Sequence, residues 1–466
     1  MATFSIENFG CRATEADAAA LRHGLLTNGL TLVDDHSSAD LVVLNTCTVT
    51  AAADSQTRDA VRKIHRANPA ARIIVTGCYA QRAPEEIAAL EGVSWVVGNA
   101  HQTEIPRVAS ELIGQSNEGN TGAAPAVKRD FVPASLLAAD QMSLARGPAK
   151  ILTGDIFSQT SVQLAPAGVG EGDRTRPVLK IQDGCNNRCA YCVIPFVRGR
   201  SRSLPPDIVL AEVQMLVASG SREIVLSGIN LGAYGRDLAS RASLSDVIHR
   251  ILKETSLEQL RLSSIEPQDI TEELISLVAG SDRLAPHFHV PLQSGSDRIL
   301  RAMHRWYRAD HYAERVKRIR QLLRGAAIGA DVIVGFPGET EEDFQATVAL
   351  IERLPFTYLH VFSFSARPGT EGANLAQVSA TVIRERARAL RALAQRKSSE
   401  FRASQAGRTL RALTLAGGGD TWTPALTANY LKVRIPGRLS ANQWRETHIS
   451  SDECSVAKIA AASFQE

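Results

Sequence analysis

Residues 183–195 read DGCNNRCAYCVIP and set Cys185, Cys189 and Cys192 in a CxxxCxxC array, with Tyr191 directly before the last cysteine. Three thiolates on so short a loop can converge on one metal centre, yet they cannot close a site that wants four ligands. An iron–sulfur cluster held by three cysteines keeps one iron open to an outside ligand. Zinc is the plain alternative, but structural zinc takes four N/S ligands, usually as two separated pairs, and no Cys or His pair stands nearby. A disulfide fits less well, since three is an odd number and the chain reads as intracellular.

A strand-like run at 178–182 leads into this loop, and strand and helix patterns alternate from there to about Gly372. Further strands are expected at 223–227, 259–263, 287–291, 330–335 and 358–364. Amphipathic helices fit 206–219, 244–255, 271–280, 296–303, 309–323 and 341–354. Six β/α units predict a parallel, barrel-like sheet with its chemistry at the carboxyl ends of the strands, where the cysteine loop also falls. The loops after the later strands are polar and glycine-rich. LSGINLGAYG supplies Ser227, Gly228 and Asn230, and SSIEP supplies Ser264 and Glu266. HVPLQSGSD supplies Gln293, and DVIVGFPGET supplies Asp331 and Gly335. Each alone reads better as a turn or a helix cap; together, behind one cysteine loop, they are harder to ascribe to accident.

Residues 1–113 read as a smaller parallel α/β domain. Strand-like runs end at Gly10, Asn45 and Gly77, and each leads into a cysteine: NFGC at Cys11, LNTC at Cys47 and VTGC at Cys78. Helical patterns follow at 14–28, 52–68 and 84–90, with a fourth strand at 94–98. In a parallel sheet, loops after successive strands gather at one edge, so these cysteines can meet in space; three unrelated buried cysteines are the alternative. The stretch 114–175 is rich in Ala, Gly, Ser and Pro and reads as a linker or insertion before a central domain at 176–376. Cys454, the last of seven cysteines, stands apart and reads as a small residue.

A formal charge of +3 over 466 residues does not announce a polyanion partner, but the distribution is uneven. Between 381 and 411 nine Lys/Arg face two acids. This basic helical connector, 377–406, contains Arg391 and Lys397 and suits a solvated face or phosphate contact equally. Residues 407–466 carry short strand patterns at 409–415, 429–435 and 447–449, expected to form a small antiparallel β-barrel that binds RNA or serves as a structural cap. No basic-flanked apolar leader and no run of about 18 apolar residues is present, which predicts a cytoplasmic protein without a membrane partner.

The cysteine loop resembles that of the radical S-adenosylmethionine (SAM) enzymes. With the other motifs, the chain resembles the methylthiotransferases, a three-domain radical SAM family, over nearly its whole length outside 114–175. NFGC, NTCTVT and TGCYAQ look like the family's auxiliary-cluster domain, and ALTANYLKVRI like its RNA-binding TRAM domain. Within the family the likeness is greatest to the tRNA threonylcarbamoyladenosine methylthiotransferases, through KIQDGCNNRCAYCVIPFVRGRSRS, SSIEPQDI, HVPLQSGSDRILRAMHRWY and HVFSFSARPGT.

The resemblance implies a transferase that adds a methylthio group to C2 of N6-threonylcarbamoyladenosine at tRNA position 37, beside the anticodon. Isopentenyladenosine in tRNA or a ribosomal-protein aspartate is the alternative substrate, and a non-catalytic iron–sulfur RNA-binding redox sensor the alternative class. It also implies SAM and two [4Fe–4S] clusters as cofactors. One cluster, on Cys185, Cys189 and Cys192, binds SAM; the other, on Cys11, Cys47 and Cys78, supplies sulfur. Contacts to SAM fall to Tyr191, Ser227, Gly228, Asn230, Ser264, Glu266, Gln293, Asp331 and Gly335, and no catalytic residue beyond the cluster ligands is implied. The implied partners are the tRNA anticodon stem-loop, a one-electron reductant of flavodoxin or ferredoxin type, and a sulfur donor. Arg198, Arg200 and Arg202, just past the cluster loop, are expected on the RNA with Arg391 and Lys397; ordinary surface charge is the alternative. Two departures stand out. Thr14 replaces the family's usual asparagine and is expected to touch no cluster ligand. Ser227-Gly228-Ile229 replaces the glycine-glycine-glutamate signature, so the partner of the SAM ammonium cannot be carried over.

Overall fold

The computed structural model describes residues 1–117, 149–164 and 175–450; Cys454 and most of the stretch 114–175 lie outside them. Two compact units form. One takes the residues up to 164 with Gly184–Asn187 and Cys192–Arg200, the other the rest.

In the first unit six strands make a wholly parallel sheet. They are β1 (Thr3–Asn8), β2 (Thr31–Leu32), β3 (Leu41–Thr46), β4 (Arg72–Gly77), β5 (Val93–Gly98) and β6 (Lys150–Leu152), in the order β2-β1-β3-β4-β5-β6. Strand β3, LVVLNT, is buried at every position, as a parallel strand covered on both faces must be. Its alternate residues enter two cores. Val42 and Leu44 pack with Val61, Ile64 and Ile87 on one face, and Leu41 and Val43 with Leu21, Leu25 and Val108 on the other. β6 lies within the stretch read as a linker and adds a buried Ile151 and Leu152 to the sheet edge.

The second unit contains β7 (Val178–Asp183), β8 (Arg202–Ser203), β9 (Glu223–Gly228), β10 (Gln259–Leu262), β11 (His287–His289), β12 (Ala327–Val334) and β13 (Tyr358–Ser363). Apart from the short antiparallel β8, the strands run parallel, as β10-β9-β7 and β11-β12-β13. Single parallel bridges, Leu260 to Leu284 and Ser264 to His289, join the two groups. The result is the expected partial barrel of six strands in chain order. Capping boxes at Ser243/Asp246 and Thr340/Asp343 start the helices Leu244–Glu254 and Glu341–Arg353.

β14 (Thr409–Thr414), β15 (Trp422–Thr427), β16 (Lys432–Pro436) and β17 (Trp444–His448) form the terminal antiparallel sheet, in the order β16-β15-β14-β17. It curls around Ala412, Ala425, Leu431, Val433 and Ile449. Arg261 on β10 holds it in place. Its Nε donates to Glu223 at 2.7 Å, and its Nη atoms donate to the carbonyls of Ala428 at 3.1 Å and Thr427 at 3.3 Å. The guanidinium is fully buried, and its charge is matched by an equally buried carboxylate.

Candidate active site

β1, β3 and β4 are neighbours in register, with Asn8 opposite Asn45 and Asn45 opposite Thr76, so the residues after them emerge at one sheet edge. Cys47 directly follows β3, Cys78 directly follows β4, and Cys11 lies just past the end of β1. Cys47 and Cys78 are buried and Cys11 is exposed. Gly10 has φ +122°, and a Cβ there would stand 2.7 Å from Cys47 Cβ; only glycine brings the Cys11 loop this close. Burial, and then the neighbouring Cys11 and Cys78, push the Cys47 thiol up to about 12. Burial also raises Cys78, against the opposing pull of Arg198. Two buried thiols raised in this way, with the Cys11 thiol beside Cys47, suit a metal centre, which takes cysteines as thiolates.

Asn99, the first residue after β5, donates from Nδ2 to Cys78 Sγ at 3.6 Å and to the Val197 carbonyl at 2.7 Å. Such a hydrogen bond to sulfur orients a cluster ligand and tunes its charge. Sequence reasoning missed Asn99, although its place at the end of a neighbouring strand marks it. The Thr14 expectation is corrected. Thr14 is buried and donates from Oγ1 to the Cys11 carbonyl at 2.7 Å, so it holds the backbone of a cysteine in the trio.

Cys185, Cys189 and Cys192 stand on the loop after β7, each partly buried. Gly184 has φ +70°, and a Cβ there would lie 2.0 Å from the Arg200 carbonyl oxygen, which explains the glycine before the first cysteine. Cys185 N donates to the Gly199 carbonyl at 3.1 Å, and Asn187 N donates to Cys185 Sγ at 3.4 Å. At Cys189 the partner is Arg305. Its Nη1 lies 3.3 Å from Cys189 Sγ and 3.4 Å from the Tyr191 hydroxyl, and its Nη2 pairs with Glu266. Burial raises the Glu266 carboxyl, while Arg305 draws it back down. Arg305 was missed from sequence, although it stands inside the quoted stretch ending in MHRWY.

The other expected cofactor residues gather along the barrel strands. Ser227 and Gly228 end β9, and the Asn230 amide donates to Gln182 Oε1 at 2.7 Å. Gln293 takes φ +64° and donates from its backbone to the Asp331 carbonyl at 2.8 Å. Gly335 N donates to Glu339 at 2.8 Å. Asp331 faces two imidazoles, His289 Nε2 at 3.1 Å and His360 Nδ1 at 3.2 Å. Ser264 Oγ meets the other nitrogen of His289. Neither histidine was singled out from sequence.

Three of the five basic residues expected on RNA are corrected. Arg198 is buried in the first unit and paired with Asp17 at 2.7 Å. Arg202 is buried beside Asp183. Lys397 is buried and donates to the carbonyls of Glu352 at 2.6 Å and Leu354 at 2.9 Å, satisfying the end of the helix Glu341–Arg353. Arg200 and Arg391 are exposed. Arg391 shares one face of the helix Ala380–Ala403 with the exposed Arg384 and Arg388. On the terminal sheet Arg434 stacks over Trp422 and Arg411 over Trp444, at 4.4 and 4.1 Å. Among the described residues no helix is long and apolar enough to cross a membrane.

Family models match two parts of the chain: residues 3–98 match Uncharacterized protein family UPF0004, and residues 179–351 the Radical SAM superfamily. The threonylcarbamoyladenosine tRNA methylthiotransferase MtaB of Aquifex aeolicus is 35% identical, over 93% of this chain and 96% of its own. The chain belongs to the radical SAM tRNA methylthiotransferases. MtaB of Bacillus subtilis is also 35% identical, over 94% and 91%. The tRNA-2-methylthio-N(6)-dimethylallyladenosine synthase of Thermobifida fusca is 34% identical, over 97% and 84%. Among solved structures, the radical S-adenosylmethionine methyltransferase TsrM of Kitasatospora setae shares the fold, with a TM-score of 0.52 and 18% identity over 80% of this chain and 75% of that one. Radical SAM methylthiotransferases work with SAM and iron–sulfur clusters, and the two cysteine trios of this chain fit such clusters chemically.

Proposed function

We propose that this methylthiotransferase modifies C2 of N6-threonylcarbamoyladenosine at position 37 of tRNA. Its end-to-end likeness to relatives of that named activity carries the reading. Identity alone separates it poorly from the dimethylallyladenosine enzymes. The polar set on β11, β12 and β13 favours a charged substituent over an apolar one.

Cys185, Cys189 and Cys192 would hold the cluster that binds SAM, and Cys11, Cys47 and Cys78 the second cluster. When bound, these groups supply a carbon-centred radical, sulfur and methyl. The chain's own residues position and shield. Arg305 sets positive charge against Cys189 Sγ and Asn99 donates to Cys78 Sγ, and Tyr191, Ser227, Gly228, Asn230, Ser264, Gln293 and Gly335 would contact SAM. The exposed Arg384, Arg388 and Arg391, with Arg200 and the arginine–tryptophan pairs of the terminal sheet, supply phosphate and base contacts to the anticodon stem-loop. The target adenosine must leave its stack to reach the barrel. A one-electron reductant and a sulfur donor of the cytoplasm complete the system.

The test is expression in a bacterium deleted for its own enzyme, followed by mass spectrometry of tRNA nucleosides. Methylthiolated threonylcarbamoyladenosine is the expected product; the dimethylallyl nucleoside in its place refutes the assignment. Anaerobic reconstitution should give about eight irons per chain, falling to about four in Cys47→Ala, since each four-iron cluster has its own cysteine set.

A further inference from the structure

The short helix Asp297–Ala302 ends in a tight reversal. His304 takes φ +58°, its amide donates to the Arg301 carbonyl at 2.9 Å, and the Arg305 amide donates to the Leu300 carbonyl at 2.8 Å. A left-handed residue with this pair of bonds closes many helix ends, usually with glycine in the place His304 holds here. The reversal sets three consecutive residues against the loop that carries Cys189. The Met303 carbonyl accepts from the Ala190 amide at 3.2 Å, His304 Nδ1 donates to the Arg188 carbonyl at 3.1 Å, and Arg305 Nη1 lies 3.3 Å from Cys189 Sγ.

The next residue, Trp306, points the other way. It is 78% exposed, more than any other large apolar side chain beyond Met1, and it stands between Arg305 and Tyr307, both buried. Those neighbours are fixed, since Arg305 pairs with Glu266 and the Tyr307 hydroxyl donates to the Leu292 carbonyl at 2.8 Å. The indole is thus presented to solvent by a backbone held on both sides. Arg188 and Arg301, on the two segments that the reversal joins, are also exposed, and among the described residues neither forms an ion pair. The carboxylate that faces His304 is Glu371, at 3.5 Å. A flat ring with open faces, set among unpaired guanidinium groups, suits single-stranded nucleic acid: every base offers a π-face to the ring, and the phosphates meet the cations.

We infer that Trp306 is a stacking platform for the unpaired base that flanks the target adenosine in the anticodon loop. This inference rests on the tRNA substrate proposed above, and not on which group the adenosine carries. Extruding the target breaks its stacking with both neighbours. A platform beside the Cys189 loop gives one of those neighbours a new partner and so lowers the cost of extrusion. Trp306 touches the RNA and not the reacting atoms, so it is a binding residue.

The experiment measures Kd by fluorescence anisotropy, with the anaerobically reconstituted full chain and labelled anticodon stem-loops. One stem-loop is intact, and two others carry an abasic nucleotide directly before or directly after the target. Trp306→Ala should weaken binding of the intact RNA by roughly 5- to 150-fold, the range of one base–aromatic stack. Trp306→Phe should keep most of the affinity, and Trp306→Leu, apolar but without a π-face, should be as weak as Trp306→Ala. One of the two abasic RNAs should lose the same factor on wild type and bind Trp306→Ala no worse than the intact RNA does. Iron content and melting temperature should match wild type in all three variants, because the exposed ring supports no core. Wild-type affinity in Trp306→Ala overturns the inference, as does a loss that is equal for the intact and both abasic RNAs. Trp306→Leu binding as well as Trp306→Phe also overturns it. A wild type that binds none of the stem-loops overturns the tRNA reading and this inference with it.

Discussion

Replacing Asp17 with asparagine should take a buried counter-charge from the Arg198 guanidinium in the N-terminal unit. Arg198 Nη2 lies 2.7 Å from Asp17 Oδ2, and the two side chains are 3% and 1% exposed, so water cannot take the place of a lost partner. At that separation the attraction is about 6 kcal/mol for an effective dielectric of ~20, most of it offset by the desolvation of two ions. Breaking a buried ion pair by removing one of its members costs about 3–5 kcal/mol. Asp17→Asn and Arg198→Met should therefore each lower the unfolding free energy by about that much, and the double variant by clearly less than their sum. Anaerobic urea unfolding followed by circular dichroism measures all three. Arg198 also opposes the burial-raised Cys47 and Cys78 thiols, so Arg198→Met should lose iron from the N-terminal trio. The competing expectation puts Arg198 on a tRNA phosphate. Arg198→Met would then leave the urea midpoint unmoved and reduce the slope of log Kd against log salt by roughly 0.7–0.9, the share of one contact. That pair of results would refute the buried-pair reasoning.

Lys397→Met should lower stability by about 1–3 kcal/mol, since it orphans the Glu352 and Leu354 carbonyls, while tRNA affinity stays at the wild-type value in a filter-binding assay. Arg388→Ala with Arg391→Ala should do the reverse, leaving the melting temperature unchanged and flattening the salt dependence of tRNA binding. Arg305→Met removes the cation beside Cys189 Sγ and should lower the reduction potential of the cluster on that loop by on the order of 60 mV, a tenfold change for one electron. A redox titration followed by electron paramagnetic resonance reads it, and an unchanged potential would show that Arg305 only holds Glu266.

The barrel strands could be read in advance because parallel strands covered on both faces are short apolar runs, and each ends in a loop whose glycines and cysteines punctuate the pattern. β6 and β15 escaped for identifiable reasons. Three residues, Lys150–Leu152, are too few to carry a period, and Pro424 inside β15 reads as a strand breaker although it pairs with Arg434. The cysteines were legible because their signal is local spacing. Arg305, Asn99 and the histidines on β11 and β13 acquire their roles only through partners distant in sequence, as Arg198 does through Asp17, 181 residues away.

The basic helix is a different case, because its period held the answer that its charge count concealed. Nine cations in one stretch suited a solvated face or phosphate contact equally. Yet Arg386, Leu390, Leu393 and Lys397 fall at i, i+4, i+7 and i+11, one stripe of a helix, and all four are buried. Arg384, Arg388 and Arg391 fall at i, i+4 and i+7 on another stripe, and all three are exposed. Two leucines between two cations mark the inward face, and the cations at its ends find Glu339 and the carbonyls of Glu352 and Leu354 in place of water. On an amphipathic helix, then, a cation in register with the apolar stripe belongs to the packing of the protein, and only those out of register are available to the RNA.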